Sequence, residues 1–235
     1  MGTTGTVKTD NAADDSSCDA CKASQLFAEL VTATASTTRG ASEFSYAKDE
    51  EIYGEREPAD YVYQVVRGAV RTYKLLSDGR RQIDAFHLPD DVFGLGSDPV
   101  HQFTAEAIVD TSIRIVRRRS LNAVAASDIR VVHDLLSMTA TKLRQAEEHV
   151  LLLGRKMSME RVAAFLLEMD HRLARAGMLV LPMSRRDIAD YLGLTLETVS
   201  RALSQLQEDG VIRFTGCHQR DIIIENRQCL HQLNK

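Results

Sequence analysis

The stretch Met183 to Ile212, MSRRDIADYLGLTLETVSRALSQLQEDGVI, decides how the rest of the chain is read. Two amphipathic segments meet in it at Gly193. The first carries Ile188, Ala189 and Leu192 at helical spacing, and Ser184 with Asp187 makes the S-x-x-D pattern of a capping box. Gly193 supplies the positive φ that a tight turn between helices requires. Thr195 is placed to cap a second helix, with Val199, Ala202, Leu203 and Leu206 on one face and Glu197, Ser200, Arg201 and Ser204 on the other. Gly210 is a suitable left-handed residue to end it.

A helix lying in the major groove reads bases with its N-terminal half. Arginine donates a fork to guanine, glutamate accepts from the cytosine amino group, and serine pairs with several base edges. Glu197, Ser200 and Arg201 share one face and are the expected base-reading residues. Exposed Glu and Arg one turn apart are also common on plain solvated faces. Two neighbouring features favour DNA. Arg185 and Arg186 open the preceding helix, and Val211–Phe214, Thr215-Gly216 and Asp221–Glu225 read as a two-stranded wing. Backbone or flanking contacts are expected from Ser184, Arg185, Arg186, Thr195, Leu196, Thr198, Ser204 and Arg213, with Arg220 as a further cation.

The run LGLTLETVSRALSQLQEDGVI resembles the recognition helix-turn-helix of the CRP/FNR superfamily of bacterial transcription regulators. Its Glu197-x-x-Ser200-Arg201 triplet matches the FNR and FixK branch rather than the CRP branch. The resemblance extends over about Phe44 to Leu233.

At 235 residues the chain has room for one or two domains, and 44% hydrophobic residues can fill real cores. No apolar run reaches membrane-spanning length and no signal-peptide core opens the chain, so a cytoplasmic protein is expected. The formal charge of −4 argues against an indiscriminate polyanion binder but leaves room for a locally basic docking face.

Residues 1–39 are rich in Thr, Ser, Ala and Asp and read as a flexible tail, with a short helix around Ser24–Thr32. The tail holds Cys18-Asp19-Ala20-Cys21, a C-x-x-C pair. The family that the chain resembles includes oxygen sensors that hold an iron–sulfur cluster on four cysteines. Here the other two, Cys217 and Cys229, fall in the DNA-binding half, so no cluster is expected. Cys18 and Cys21 are read as a vestigial or accessory pair, with zinc or a disulfide as the alternative.

From about Phe44 to Val116, short β-branched and aromatic runs are broken by turn residues: Tyr61–Val66, Ala69–Leu76 and Arg81–Leu88, with Asp78-Gly79 as the strongest hairpin signal. This cadence reads as a β-roll and resembles the jelly-roll sensor of cyclic-nucleotide-binding proteins. Relatives that bind cyclic AMP use a Gly-Glu pair and a nearby Arg. The matching stretch, Phe93–Ala107, lacks the pair, and no Arg or Lys occurs from Phe93 to Val109. A buried phosphate without a cation is heavily penalised, so no nucleotide is expected. His87 and His101 are read as surface or hydrogen-bonded residues rather than haem ligands.

Ser127 is placed to cap a long helix whose stripe runs Ile129, Val132, Leu136, Thr139, Leu143, Ala146, Val150 and Leu153. Steps alternating between three and four make the a/d seam of a coiled coil and predict a homodimer. Leu135, Leu151 and Leu152 widen the stripe toward the roll. A hinge at Gly154–Lys156, a helix over Ser158–Ala174 and a strand at Leu179–Pro182 lead into the helix-turn-helix.

The expected architecture is α+β: a tail (1–39), a β-jelly-roll (40–126), a dimerisation helix (127–154) and a winged helix-turn-helix (155–235). The resemblance implies a homodimeric activator of low-oxygen genes for microaerobic respiration, denitrification or nitrogen fixation. It would read a TTGA-type inverted repeat in double-stranded DNA and contact RNA polymerase. Neither catalysis nor a cofactor is expected. The competing reading is a sensor gated directly by a ligand, metal or redox change at the roll or at Cys18 and Cys21.

Overall fold

The computed structural model describes residues 42–155, 157–173, 177–216 and 220–234. The tail, Cys18, Cys21 and the Ser24–Thr32 segment lie outside them, as does Cys217.

Eight strands build the first half: β1 (Ser42–Tyr46), β2 (Glu51–Tyr53), β3 (Tyr61–Arg67), β4 (Val70–Leu75), β5 (Arg81–His87), β6 (Val92–Phe93), β7 (Thr104–Ala107) and β8 (Thr111–Arg117). They form two four-stranded antiparallel sheets in the orders β1-β8-β3-β6 and β2-β7-β4-β5. Alternation along the strands sends Val65, Val70, Ile83, Ala105 and Ile113 into the interior, where each is fully buried. The β3–β4 connection turns at Gly68, whose φ is 91°. A Cβ there would overlap the hydroxyl of Thr111, which donates to Val109 O at 2.6 Å and accepts from the Ala69 amide at 3.2 Å. Only glycine fits that approach.

The strands stop at Arg117, and α1 (Arg118–Ser127) follows, a helix that the sequence reading counts within the roll. Ser127 is therefore not the cap of the next helix. It is the last residue of α1, and its hydroxyl donates back to Val124 O at 2.9 Å. The capping contact falls to Asp128, whose carboxylate accepts from the Arg130 amide at 2.9 Å. The long helix α2 runs Ile129–Arg155, passing through the expected hinge glycine, Gly154. Val131, Leu135 and Met138 pack it onto the roll against Val62, Val92, Val116 and Leu121. The seam face points away: Ile129, Leu136, Leu143 and Val150 are between 61% and 79% exposed in the single chain. Leu152 is partly buried against the apolar cluster shared by both halves, whereas Leu151 is 52% exposed.

The second half comprises α3 (Ser158–Leu173), β9 (Met178–Val180), α4 (Arg185–Leu192), α5 (Leu196–Glu208), β10 (Ile212–Thr215), β11 (Asp221–Ile224) and α6 (Arg227–Leu233). Val162, Phe165, Leu166 and Met169 of α3 are buried at helical spacing. The wing is antiparallel, in the order β10-β11-β9. The final helix, not expected from sequence, is capped by Asn226 accepting from the Cys229 amide at 3.0 Å, and it packs on α3. One apolar cluster spans both halves, with Ile83, Phe86, Leu88 and Ile108 of the roll meeting Phe165, Tyr191 and Leu192. No helix among the described residues is long and apolar enough to cross a membrane.

Candidate nucleic-acid interface

Helix α4 starts with a complete capping box. Ser184 Oγ accepts from the Asp187 amide at 3.1 Å, while Asp187 Oδ2 accepts from the Ser184 amide at 2.9 Å and from its hydroxyl at 2.7 Å. The helix ends at Gly193, left-handed at φ 61°, and Thr195 then caps α5 by accepting from the Thr198 amide at 3.2 Å. Val199, Ala202, Leu203 and Leu206 are buried and fix the roll angle of α5. That leaves Glu197, Arg201 and Ser204 exposed on the outer face, with Ser200 half-buried between them.

The electrostatics suit a polar reader. The Glu197 carboxyl is held below its ordinary range, first by its own backbone amide, then by Thr195 and by the charges of Arg186 and Arg201. It is ionised near neutral pH and can only accept. Arg201 beside it can only donate. The pair thus presents one acceptor and one fork a single turn apart.

Of the arginines expected to face DNA, Arg186, Arg201 and Arg213 are exposed, while Arg185 and Arg220 are half-buried. Arg185 lies over the Phe214 ring at 5.4 Å and ties α4 to the wing. Arg213 Nε donates to Glu225 at 2.7 Å, and Arg220 Nη1 donates to Pro182 O at 3.3 Å. Between α4 and the wing, Leu181, Met183, Ile188 and Ile222 floor a recess of about 250 Å³, with Ser184, Arg185 and Arg220 around it.

Three residues absent from the sequence reading also converge here. Arg71 of β4 and Arg81 of β5 both reach Asp187 Oδ1, at 3.1 and 2.6 Å, and Arg81 Nε donates to Asp190 at 2.9 Å. Nothing local marks Arg71, Arg81 or Asp190, because the contacts that join β4 and β5 to α4 span more than a hundred residues. The roll histidines are buried rather than superficial. His87 bonds Thr72 at 3.1 Å and stacks on Phe93, and His101 stacks on Tyr53 at 3.6 Å between ring centroids. No cluster of three or more metal-ligating side chains occurs among the described residues.

A family model for the Crp-like helix-turn-helix domain matches residues 160–233, and one for the cyclic nucleotide-binding domain matches residues 43–128. The nitrogen fixation regulation protein FixK of Rhizobium meliloti is 43% identical over 179 residues, 76% of this chain and 82% of that protein. The chain belongs to the FixK-like branch of the CRP/FNR family. The structure of FixK2 from Bradyrhizobium japonicum superposes with a TM-score of 0.81 at 68% identity, covering 84% of this chain and 98% of that one. A CRP-family transcriptional regulator of Thermus thermophilus is 26% identical, with a TM-score of 0.66, over 81% of this chain and 96% of that one. As a CRP/FNR-family protein, the chain is a DNA-binding transcription regulator, and α4 and α5 lie within its matched helix-turn-helix domain.

Proposed function

We propose that the protein works in the cytoplasm as a homodimeric activator that reads a TTGA-type inverted repeat through Glu197, Ser200 and Arg201. The observation that carries this reading is the exposed acceptor–donor pair, Glu197 and Arg201, one turn apart on the outer face of α5. That pair suits the two partners of a G·C pair, with arginine on guanine and glutamate on the cytosine amino group. Arg185, Arg186, Thr195, Leu196, Thr198, Ser204 and Arg213 are its backbone or flanking contacts; Ser184, whose hydroxyl and amide both donate to Asp187, drops out of that set. The exposed apolar stripe of α2, at Ile129, Val132, Leu136, Leu143 and Val150, supports pairing with a second copy, with Thr139, Ala146 and Leu153 completing the seam. A two-fold dimer sets two recognition helices about 34 Å apart, matching an inverted repeat.

Its role is transcriptional rather than catalytic, by contact with RNA polymerase at promoters of genes used at low oxygen. Relatives named as nitrogen fixation regulators support that assignment. The protein acts without a cyclic nucleotide or an iron–sulfur cluster. The roll interior supports the first point: Tyr53, Tyr63, Phe93, His87 and His101 pack ring against ring within it. Arg118 also spends its guanidinium on the Gly94 and Asp98 carbonyls, bracing the loop where a nucleotide phosphate would need a cation. The test is a titration of a TTGA-type palindrome with purified protein in air, with chelator and no nucleotide. Saturable binding that a scrambled duplex does not compete away is expected. Binding that appears only after nucleotide addition, or only after anaerobic iron and sulfide loading, would contradict effector independence.

A further inference from the structure

The joint between the roll and the helix-turn-helix contains two kinds of contact with different physical consequences. The apolar part is broad and joins Ile83, Phe86 and Leu88 to Phe165, Tyr191 and Leu192. Apolar burial is non-directional, so it contributes more to holding the two parts close than to setting their angle. The ionic part is directional. Arg71 lies among three carboxylates: Glu106 on β7, Asp49 at 3.1 Å and Asp187 on α4. Arg81 bridges Asp187 and Asp190, the latter pair at 2.8 Å. Tyr73 closes the network by donating to Glu106 at 3.0 Å.

The carboxylate of Asp187 is divided between the two halves. Oδ2 caps α4 through Ser184, and Oδ1 receives both roll arginines. Its side chain is 4% exposed, so these contacts are made away from bulk water. The helix start that leads into the recognition element is therefore held at a fixed angle to strands β4 and β5.

We infer that Arg71, Arg81, Asp187 and Asp190 form an orientation clamp that sets the spacing at which the two recognition helices of a dimer engage DNA. Arg81 and Asp190 are positioning residues: they touch no base and select the distance and phase between half-sites. This inference rests on the proposed reading of DNA by α5. Adding one base pair between half-sites moves them about 3.4 Å apart and turns them by about 34°. A dimer with fixed heads rejects that change, and a dimer with loosened heads accepts it.

The experiment measures full-length wild type, Arg81→Gln, Asp190→Asn and the double variant on three duplexes. These are a palindrome of native spacing, the same palindrome with one base pair inserted, and a single half-site. Melting temperature is followed in parallel, and Arg81→Lys serves as the conservative variant that retains the charge. The single variants should bind the single half-site as wild type does, while their preference for native spacing falls about tenfold, mid-range for partners in one ion-pair network. The double variant should lose no more than either single one, and Arg81→Lys should recover part of the preference. Unchanged spacing preference in Arg81→Gln and Asp190→Asn would overturn the clamp. Should Arg81→Gln fail to fold, Asp190→Asn decides by the same criterion. A wild type that does not distinguish palindrome from scrambled duplex would instead overturn the reading of α5, and the clamp with it.

Discussion

The guanidinium of Arg81 donates to the Asp187 carboxylate at 2.6 Å, across a separation of 106 residues, and the same carboxylate caps the helix it belongs to. Burial pushes the Asp187 carboxyl up, but the hydrogen bonds from Ser184 and the charges of Arg71 and Arg81 outweigh it, so its pKa falls below the ordinary carboxylate value. The group is thus ionised in the folded protein and fully partnered.

Asp187→Asn removes that charge while keeping most of the shape. Arg71, 9% exposed at its side chain, would keep Glu106 and Asp49 but lose the charge of its partner on α4. The expected loss is about 3 kcal/mol, in the range for breaking one side of a buried pair. Ser184→Ala, which removes only the hydroxyl of the cap, should cost about 1 kcal/mol. Denaturant unfolding of both variants measures the difference. Equal losses would mean that the contacts to the roll add nothing to the cap.

Burial, and then the neighbouring charges of Lys142 and Arg172, hold the His87 imidazole well below its ordinary value of 6.5. The folded state therefore keeps it neutral, while the unfolded chain takes up a proton as pH falls below about 6.5. This contribution to stability is complete above that pH and declines beneath it, by up to about 1.4 kcal/mol per pH unit. His87→Asn should be less stable at pH 7.5 yet show a shallower decline between pH 6.5 and 5. Parallel pH profiles for the two proteins would show that His87 does not titrate on unfolding.

Leu143 and Val150 are 61% and 68% exposed in the single chain, on the seam face of α2. Replacing both by Glu sets like charges across a two-fold axis in an apolar contact. Sedimentation should show the double variant as a monomer that has lost affinity for the palindrome. An intact dimer would move the dimer contact elsewhere.

Much of this architecture is legible in the sequence because it rests on local rules. Ser184, Asp187, Gly193 and Thr195 each declare a helix boundary through their own chemistry, and all four do so in the structure. Strands β3, β4 and β5 follow from β-branched runs between turn residues, with Gly79 at φ 83° in the predicted hairpin. The helix at Arg118–Ser127 escapes such rules because it has a single buried residue, Leu121, and no side-chain cap. At the interface, the cationic residues are identifiable by type but not by partner. Arg185 meets Phe214, and Arg213 meets Glu225, through folding of the wing. Ser184 shows the same limit: its hydroxyl hydrogen, which a phosphate contact would need, is donated to Asp187. The Arg71–Asp187–Arg81 network joins residues distant in sequence, and no spacing rule reports such a contact.

The central claim is that the outer face of α5 reads the half-site, and base-resolved selection from a random duplex library tests it most directly. Wild type and Arg201→Ala are selected side by side, in air and without added ligand. Wild type should return an inverted TTGA-type repeat. Arg201→Ala should return the same repeat with about 1–3 kcal/mol less discrimination at the G·C pair of each half-site and little change elsewhere. An Arg201→Ala motif with undiminished preference at that pair would contradict the account.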